Sequence, residues 1–267
     1  MRTLIQLMNL KGRTALVTGA CGFLGQTICQ TLAELGCNLI LLDLPGSKFM
    51  ELEAKILDKH DIKITYLELD LEDSKARSAT ATKILEEHAT LNILINTAAL
   101  VGSTPLEGWA VPFEKQSLET WDRALNVNLS AVFHFARDLF PLIKKSGHGS
   151  IINIGSIYGV VAPDYSIYGS LDMGNPGAYA ASKGALIQLT KWLSTTLGKE
   201  IRVNCVSPGG VLRDQSENFI ENYKKRTPLQ RMATEEDFKG IIAYLASDLS
   251  EYVTGQNIMV DGGWTVW

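Results

Sequence analysis

The sequence predicts an α/β fold of the Rossmann-like type, in which helices cover both faces of a doubly wound parallel sheet of about seven strands. Two observations predict this fold. Short, almost continuously hydrophobic runs recur along the chain, as in strands that are covered on both faces. Segments with a helical pattern of apolar residues separate these runs over the whole length of 267 residues, and such alternation is typical of doubly wound sheets.

Each predicted strand is a short run rich in leucine and β-branched residues and bounded by turn-forming residues. Gly36 is placed to end the first helix, and Pro208 helps to end the sixth strand. The predicted strands span residues 14–18, 38–42, 64–69, 91–96, 150–155, 201–207 and 257–260. The predicted helices span about 23–35, 48–60, 74–88, 117–145, 178–198, 216–226 and 234–247.

The composition predicts one globular domain over residues 1–267, with 46% hydrophobic and 20% charged residues. Residues 1–11 form an N-terminal extension without a cleavage site, so we expect an uncleaved, cytoplasmic protein. The net charge is −4 and the basic residues are scattered, which argues against a nucleic-acid partner. No apolar run approaches the ~18 residues that cross a membrane. The four cysteines have no metal-ligand spacing, so we predict free thiols and no metal site.

The segment "TGACGFLG", residues 18–25, directly follows the first predicted strand and opens a helix. Glycines here permit a tight turn and let backbone N–H groups approach a pyrophosphate at the positive end of the helix dipole. An acid, Asp43, ends the second strand 18 residues after Gly25. A glycine loop between a strand and a helix, followed by such an acid, predicts a dinucleotide cofactor.

Asp43 favours NAD over NADP as that cofactor. A carboxylate at this point accepts hydrogen bonds from the adenosine ribose hydroxyls and repels a 2′-phosphate. Leu44 and Pro45 offer no arginine to neutralise that phosphate. The alternative is that Asp43 only caps the following turn.

The segment "GAYAASK", residues 177–183, places Tyr179 and Lys183 four positions apart. In a helix these residues lie on one face, so a phenol and an ammonium can act on one bound molecule. An ammonium beside a phenol favours the phenolate and lowers its pKa from ~10. Spacing alone does not distinguish this arrangement from a chance pair on a helix surface.

Taken together, these motifs resemble the short-chain dehydrogenase/reductase family, in its single-domain subclass. The resemblance covers nearly the whole chain, and the motifs follow the family's order. "NTAA" at 96–99 is similar to the family's Asn-Asn-Ala-Gly, "NVNLS" to its segment with the active-site asparagine, "GSIYG" to its serine segment and "SPGGV" to its Pro-Gly motif. The resemblance implies an NAD-dependent oxidoreductase that acts on CH–OH groups.

The resemblance also implies roles for single residues. Tyr179 would be the general acid/base, and Lys183 would hold the nicotinamide ribose and lower the pKa of the tyrosine. Ser156 would contact the substrate oxygen, unless it is only a turn residue. Asn128 would complete a water-linked proton path to Lys183, unless it is satisfied inside its own helix.

Asp70 would face the adenine amino group of the cofactor, unless it is the N-cap of the next helix. The complete set of cofactor contacts that the resemblance implies is Gly19, Phe23, Leu24, Gly25, Asp43, Asp70, Leu71, Asn96, Ala98, Tyr179, Lys183, Pro208, Gly209 and Val211.

The chain departs from the family's pattern in three places. "NTAA" replaces two family residues. Position 23, where the single-domain subclass has a glycine, holds Phe23, and the loop is similar to that of nucleotide-sugar epimerases and dehydratases. The 23 residues from Ser156 to Tyr179 exceed the family's usual spacing, so we expect an insertion at 158–177 that loops over the active site.

The insertion carries polar groups that suit a sugar-like substrate better than a steroid or an acyl chain. The alternative is a lid or interface loop without substrate contact. The insertion and the ending "VDGGWTVW" resemble dehydrogenases of bacterial surface-glycan and flagellin-modification clusters, which are associated with amino-sugar precursors. The polar and aromatic residues in question are Asp164, Tyr165, Tyr168, Ser170, Asp172 and Asn175.

The chain ends in an aromatic tail with Trp264 and Trp267. In the family that the chain resembles, this tail usually packs between subunits. It therefore implies a homotetramer or, alternatively, a dimer. Residues 210–231 are predicted to be a substrate-gating segment. Its basic residues would meet a phosphate of the substrate; they are Arg213, Lys224, Lys225 and Arg226. The alternative for the last three is a solvated helix face.

The sequence thus predicts hydride transfer between NAD and a secondary alcohol or ketone on a small molecule. Two alternatives stay open. The glycine loop favours an epimerase or dehydratase that retains its NAD, and a non-catalytic NAD-binding subunit is the alternative outside enzymes.

Overall fold

A parallel sheet of seven strands forms the centre of the chain over residues 1–168 and 175–267, which the computed structural model describes. The strands lie side by side in the order third, second, first, fourth, fifth, sixth and seventh. Because this order reverses between the first and fourth strands, the sheet is doubly wound, and the predicted fold class is confirmed. The strands are β1 (Thr14–Thr18), β2 (Asn38–Asp43), β3 (Ile64–Glu68), β4 (Ile93–Asn96), β5 (Gly149–Ile154), β6 (Ile201–Pro208) and β7 (Asn257–Val260).

Helices flank the sheet on both faces. None of them, within the described ranges, is long and apolar enough to span a membrane. The helices are α1 (Leu4–Met8), α2 (Phe23–Glu34), α3 (Phe49–Leu57), α4 (Ser74–Glu87), α5 (Leu118–Leu125), α6 (Ala131–Asp138), α7 (Phe140–Lys145), α8 (Gly177–Leu197), α9 (Glu217–Arg226) and α10 (Lys239–Ala246).

The predicted strands coincide with the observed ones, and their ends agree within two residues. Two helix predictions need correction. The predicted single helix over 117–145 is wrong, because α5, a π-helical turn at Asn126–Ser130, α6 and α7 follow one another there. The predicted helix over 234–247 begins as a 3₁₀ turn, Glu235–Phe238, before α10.

Apolar side chains pack on both faces of the sheet, since successive residues of a strand point to opposite faces. In β1, Ala15 and Val17 are buried with residues of α2 and α10 on one face. Leu16 is buried with residues of α4, α6 and α8 on the other. Burial on both faces explains why the central strands read as continuous hydrophobic runs.

The N-terminal extension is tied to the C-terminal part of the chain. A capping box between Thr3 and Gln6 begins α1, an element that the apolar pattern does not indicate. The Arg2 guanidinium donates to Asp248 at 2.6 Å, and Arg13 binds the other oxygen of the same carboxylate at 2.6 Å. These contacts join the first residues to the turn that follows α10.

All four cysteines are free thiols, as predicted, and three of them are buried in the core. Cys21 is partly buried in the glycine loop, where burial raises the pKa of its thiol to about 11.

Candidate active site

A cavity of about 730 Å³ opens at the carboxyl ends of β1, β4, β5 and β6. This edge lies at the point where the strand order reverses, which is the usual ligand site of an open α/β sheet. The volume lies in the range of small-molecule sites. Eight of the predicted site residues line it: Phe23, Leu24, Ser156, Tyr179, Lys183, Pro208, Gly209 and Val211.

Helix α8 brings Tyr179 and Lys183 to the same wall of the cavity. The Lys183 Nζ lies 5.7 Å from the centre of the Tyr179 ring and donates to the Ile154 carbonyl at 2.7 Å. Lys183 is only 3% exposed, and this burial lowers its pKa to about 8. The ammonium is therefore held in place by β5, beside the phenol.

Ser156 follows β5 and is buried opposite Tyr179. Its hydroxyl oxygen accepts from the Tyr158 N–H at 3.2 Å, which orients the side chain. Burial raises the pKa of Tyr179, although hydrogen bonding to the Ser156 side chain acts in the opposite direction. The pKa of Tyr179 is thus raised in the structure, whereas the resemblance implied that Lys183 lowers it.

Asn128 lies in the π-helical turn between α5 and α6, where it is 1% exposed. Its Oδ1 accepts from the Leu100 N–H at 2.8 Å, and its Nδ2 donates to the Leu100 carbonyl and to the Ser182 hydroxyl. The alternative that Asn128 is satisfied inside its own helix is wrong. The Asn128 amide therefore joins the segment after β4 to helix α8. Its contact on α8 is Ser182, the residue before Lys183.

The glycine loop packs too closely for side chains at two positions. Gly19 has a φ of +65°, and a Cβ there would lie 2.8 Å from the Ala98 backbone. A Cβ on Gly25 would lie 2.0 Å from the Gly19 carbonyl oxygen. The N-terminus of α2 therefore approaches the loop as closely as a bound pyrophosphate requires.

Asp43 ends β2 beside the glycine loop. Its carboxylate accepts from the Cys21 N–H at 2.7 Å and from the Leu44 N–H at 2.8 Å. Asp43 thus caps the turn that follows β2, which the sequence analysis gave as the alternative to cofactor binding. It also hydrogen-bonds to the glycine loop.

Three of the other predicted cofactor contacts lie at the edge of the sheet near β3 and β4. Asp70 is exposed and accepts from the Glu72 N–H, and the N-cap of α4 is Asp73, so the N-cap alternative for Asp70 is wrong. Leu71 is buried at the same edge. The side chain of Asn96 points into the sheet and donates to Asn153 at 2.8 Å.

Arg213 of the predicted gating segment reaches across the rim of the cavity to the glycine loop. Its guanidinium carbon lies 4.2 Å from the centre of the Phe23 ring, and it forms an ion pair with Glu235. By contrast, Lys224 forms an ion pair with Glu221 on the surface of α9. The Nε of Arg226 lies 3.4 Å from a carboxylate oxygen of Asp164. Lys224, Lys225 and Arg226 lie outside the cavity lining.

The insertion contributes Tyr158, Tyr168 and Asn175 to the cavity. Asp164 and Tyr165 do not line it. Ser170 and Asp172, for which substrate contacts were predicted, lie outside the described residues. Trp264 is 3% exposed and stacks on Tyr223 at 4.3 Å within the same chain, so little of its surface is left for a neighbouring subunit.

Sequence reasoning missed several residues of the cavity, among them Thr97, Phe219 and Tyr223. Thr97 stands in the "NTAA" motif, and within the described residues its buried hydroxyl has no hydrogen-bond partner. Phe219 and Tyr223 of α9 also line the cavity. Their spacing of four along a helix is a signal that the sequence offers, but it does not distinguish a cavity wall from core.

Comparisons with known proteins agree with this geometry. A family model described as enoyl-(acyl carrier protein) reductase matches residues 19–265. The post-translational flagellin modification protein A of Campylobacter coli is 28% identical over 96% of this chain and 99% of its own length.

Two solved structures share the fold over almost their whole length. A short-chain dehydrogenase from Leptospira borgpetersenii with bound NAD+ is 32% identical, with a TM-score of 0.84 over 99% of this chain and 96% of its own. A gluconate 5-dehydrogenase from Burkholderia cenocepacia, in complex with NADP and tartrate, is 26% identical. Its TM-score is 0.87, and the match covers 99% of this chain and 100% of its own. The chain belongs to the short-chain dehydrogenase/reductase family and is an oxidoreductase that acts on CH–OH groups.

Proposed function

We propose that this oxidoreductase transfers a hydride between NAD and a secondary alcohol or ketone of a sugar-like substrate. The observation that carries the proposal is the meeting of Ser156, Tyr179 and Lys183 at a cavity that also reaches the glycine loop. Bound at the glycine loop, NAD would supply the acceptor for the hydride of the alcohol carbon, and Tyr179 would take the proton of the alcohol oxygen, so that a ketone, NADH and a proton would result.

The residues at the glycine loop fit a dinucleotide. Gly22 caps α2 without a side-chain hydrogen bond in the described residues, which leaves the first N–H groups of the helix for a phosphate. The buried Thr97 hydroxyl, which lacks a partner in the described residues, gives the cavity an unused polar group beside β4. We assign cofactor contact to Gly19, Phe23, Leu24, Gly25, Asp43, Asp70, Leu71, Asn96, Ala98, Tyr179, Lys183, Pro208, Gly209 and Val211.

Asp43 supports NAD as the cofactor. A 2′-phosphate would meet its negative charge at the end of β2, and the next basic residue, Lys48, is paired with Glu51 at 3.1 Å. One solved relative holds NAD+ and another NADP, so the choice rests on this carboxylate.

Tyr179 is proposed to exchange the proton with the substrate oxygen. Its raised pKa keeps the phenol protonated, which suits proton donation to a ketone. Ser156, which is oriented by the Tyr158 N–H and hydrogen-bonds with Tyr179, fixes the substrate oxygen. Lys183 positions the nicotinamide ribose, and Asn128 keeps α8 in register with the segment after β4.

The sugar-like substrate is supported by the polar groups of the insertion, which spans residues 158–177 in this proposal. A gluconate 5-dehydrogenase and a flagellin modification protein are among the chain's relatives, which favours surface-glycan or amino-sugar metabolism. We further propose a cytoplasmic, single-domain homotetramer, with a dimer as the alternative. Residues 1–11 would be its N-terminal extension and residues 210–231 its gating segment.

The test follows NADH absorbance with the wild type and Tyr179→Phe. The alcohol probes, assayed with NAD, are free sugars, sugar acids, sugar phosphates and nucleotide sugars. The ketone probe acetoacetyl-CoA is assayed with NADH, and the phosphorylated cofactor is tested in parallel in both directions. We expect turnover of a sugar-class probe with NAD, and a loss of at least about a hundredfold in the variant because the transferred proton is missing. Full activity of Tyr179→Phe would contradict the proposed proton transfer.

Two other outcomes would redirect the proposal. NAD that stays bound through purification without net turnover would favour the epimerase or dehydratase, to which the loop with Phe23 is similar. Turnover of acetoacetyl-CoA alone would move the substrate to thioesters, the class named in the matching family model.

A further inference from the structure

Asn175 is a buried amide without a partner. It lies just before α8 and is 6% exposed. Across residues 1–168 and 175–267, its Nδ2 has no hydrogen-bond partner. A buried polar group without a hydrogen bond lowers the stability of the fold and is uncommon, so a ligand is a reasonable partner for it. Asn175 lines the same cavity as Tyr179.

A second unused donor lies in the same cavity. The hydroxyls of Tyr158 and Tyr168 are 3.1 Å apart and hydrogen-bonded to each other. In such a pair one hydroxyl donates and the other accepts, so one phenolic proton remains. The described residues provide no further acceptor for it. Both tyrosines line the cavity.

The side chains of Asn175, Tyr158 and Tyr168 are uncharged. Burial raises the pKa values of Tyr158 and Tyr168, which therefore stay neutral. The charged residues in the described lining are Lys183, at the Ile154 carbonyl, and Arg213 with its neighbour Asp214, toward Phe23. Lys183 and Arg213 each have a partner elsewhere, whereas Asn175 and the tyrosine pair offer neutral donors.

A hydroxyl group suits these donors better than a carbonyl alone. It both donates and accepts, so it pairs with the Asn175 amide in either orientation of that amide. The adjoining wall is aromatic, with Tyr168 and Phe219 rings 5.4 Å apart. Such a wall packs against the C–H face of a ring that carries hydroxyls on its edge.

We propose that Asn175, assisted by the Tyr158 and Tyr168 pair, binds a neutral hydroxyl of the substrate and so selects hydroxylated ketones over their deoxy analogues. This inference rests on the proposed function, because it assumes that the ketone is reduced between Ser156 and Tyr179.

The test compares 2-hydroxycyclohexanone with cyclohexanone, two ketones of sugar-ring size that differ by one hydroxyl. We expect the wild type to prefer the hydroxylated ketone in kcat/KM, and Asn175→Ala to reduce that preference about tenfold because one hydrogen bond is lost. Tyr168→Phe should reduce it in the same direction. The control is Asn222→Ala, whose amide donates to the Ile167 carbonyl and lies outside the cavity lining; its preference should stay within about twofold of the wild type.

Equal preference in the wild type and Asn175→Ala, with both enzymes active, would overturn the inference and leave the proposed function intact. Reduction of neither ketone would count against the proposed function. In that case calorimetry of 2-hydroxycyclohexanone with the NADH-loaded protein decides the inference: tighter binding to the wild type than to Asn175→Ala supports it, and equal binding overturns it.

Discussion

Among single residues, Lys183 combines a proposed catalytic position with a cost to the fold. Its pKa is about 8 in the folded chain, against an ordinary value of 10.5. Below pH 8 both states are protonated, and the buried charge lowers stability by a constant amount. Between pH 8 and 10 the folded chain releases this proton before the unfolded chain does, so the contribution of Lys183 to stability rises with pH.

We therefore expect the free energy of unfolding of the wild type, minus that of Lys183→Met, to rise by about 2 kcal/mol from pH 8 to pH 10. Urea unfolding of the ligand-free proteins measures it. Taking the difference between the two proteins removes the titration of other lysines and tyrosines. A difference that does not change with pH would show that the Lys183 ammonium is not destabilised by burial.

Asp43 is the residue on which the choice of cofactor depends. Asp43→Asn removes the negative charge but keeps an oxygen for the Cys21 N–H. We expect the affinity ratio of NADP to NAD to rise by roughly tenfold, because a unit charge no longer opposes the 2′-phosphate. Calorimetric titration with both nucleotides measures the ratio.

The matched control for Asp43 is Asp70→Asn, an exposed aspartate at the end of the neighbouring strand. Its substitution should change both affinities alike and leave the ratio unchanged. If the two variants shift the ratio equally, the preference comes from general charge rather than from Asp43.

The sequence predicted the residues whose types and spacing are tied to chemistry, such as Tyr179 with Lys183 and Gly19 with Gly25. It did not indicate which polar groups would lack a partner. Neither Thr97 nor Asn175 stands in a pattern that indicates a missing partner, and the lack of a partner for their polar atoms is seen only in the described part of the fold. The direction of the Tyr179 pKa was mispredicted for the same reason, because desolvation depends on the whole surrounding fold.

Among the elements, the glycine loop and α2 depend on one close contact. In Gly25→Ala the new Cβ would lie 2.0 Å from the Gly19 carbonyl, whereas in Gly22→Ala it would lie 3.3 Å from the same atom. We expect Gly25→Ala to lose about 3 kcal/mol of stability and most of its nucleotide affinity, because the loop must move. Gly22→Ala should lose less than about 1 kcal/mol.

Urea unfolding and nucleotide titration of both variants test this difference. Similar losses in the two variants would mean that the loop adjusts freely, and that the contact between Gly25 and Gly19 does not determine its shape.

The segment 117–145 shows why element boundaries are harder to predict than elements. Its apolar residues keep a helical period throughout, so the sequence predicts one helix. The observed π-helical turn, Asn126–Ser130, is set instead by the Asn128 amide, which binds Leu100 and Ser182. That interaction joins three distant segments, and no local pattern contains it.

For the whole molecule, the sheet was predictable because burial on both faces leaves a continuous hydrophobic signal in each strand. The surface that would form the proposed subunit interface is harder to predict from the sequence. Trp264, which the resemblance assigns to a subunit interface, is buried on Tyr223 of its own chain. The exposed aromatic residues of α6 and α8, Phe133 and Trp192, instead offer an apolar face, with ring centres 6.4 Å apart.

Trp192 is 52% exposed, and we expect it to lie in the proposed homotetramer interface. Trp192→Glu should yield a smaller species in light scattering at micromolar concentration, because a buried unpaired carboxylate opposes association. Leu57→Glu, on the exposed side of α3, is the control and should keep the wild-type mass. An unchanged mass for Trp192→Glu would exclude this face from the interface.

The contact between Arg213 and Phe23 joins the segment after β6 to the glycine loop at the rim of the cavity. A cation–π contact at an accessible site is worth about 0.5–1 kcal/mol, which is small beside the affinity of a nucleotide. If the cofactor binds as proposed, a nucleotide that passes this rim would open the contact on entry and again on release. We then expect the pair to slow both rates by the same few-fold factor, without a change in the equilibrium, and so to lengthen the residence time of the nucleotide.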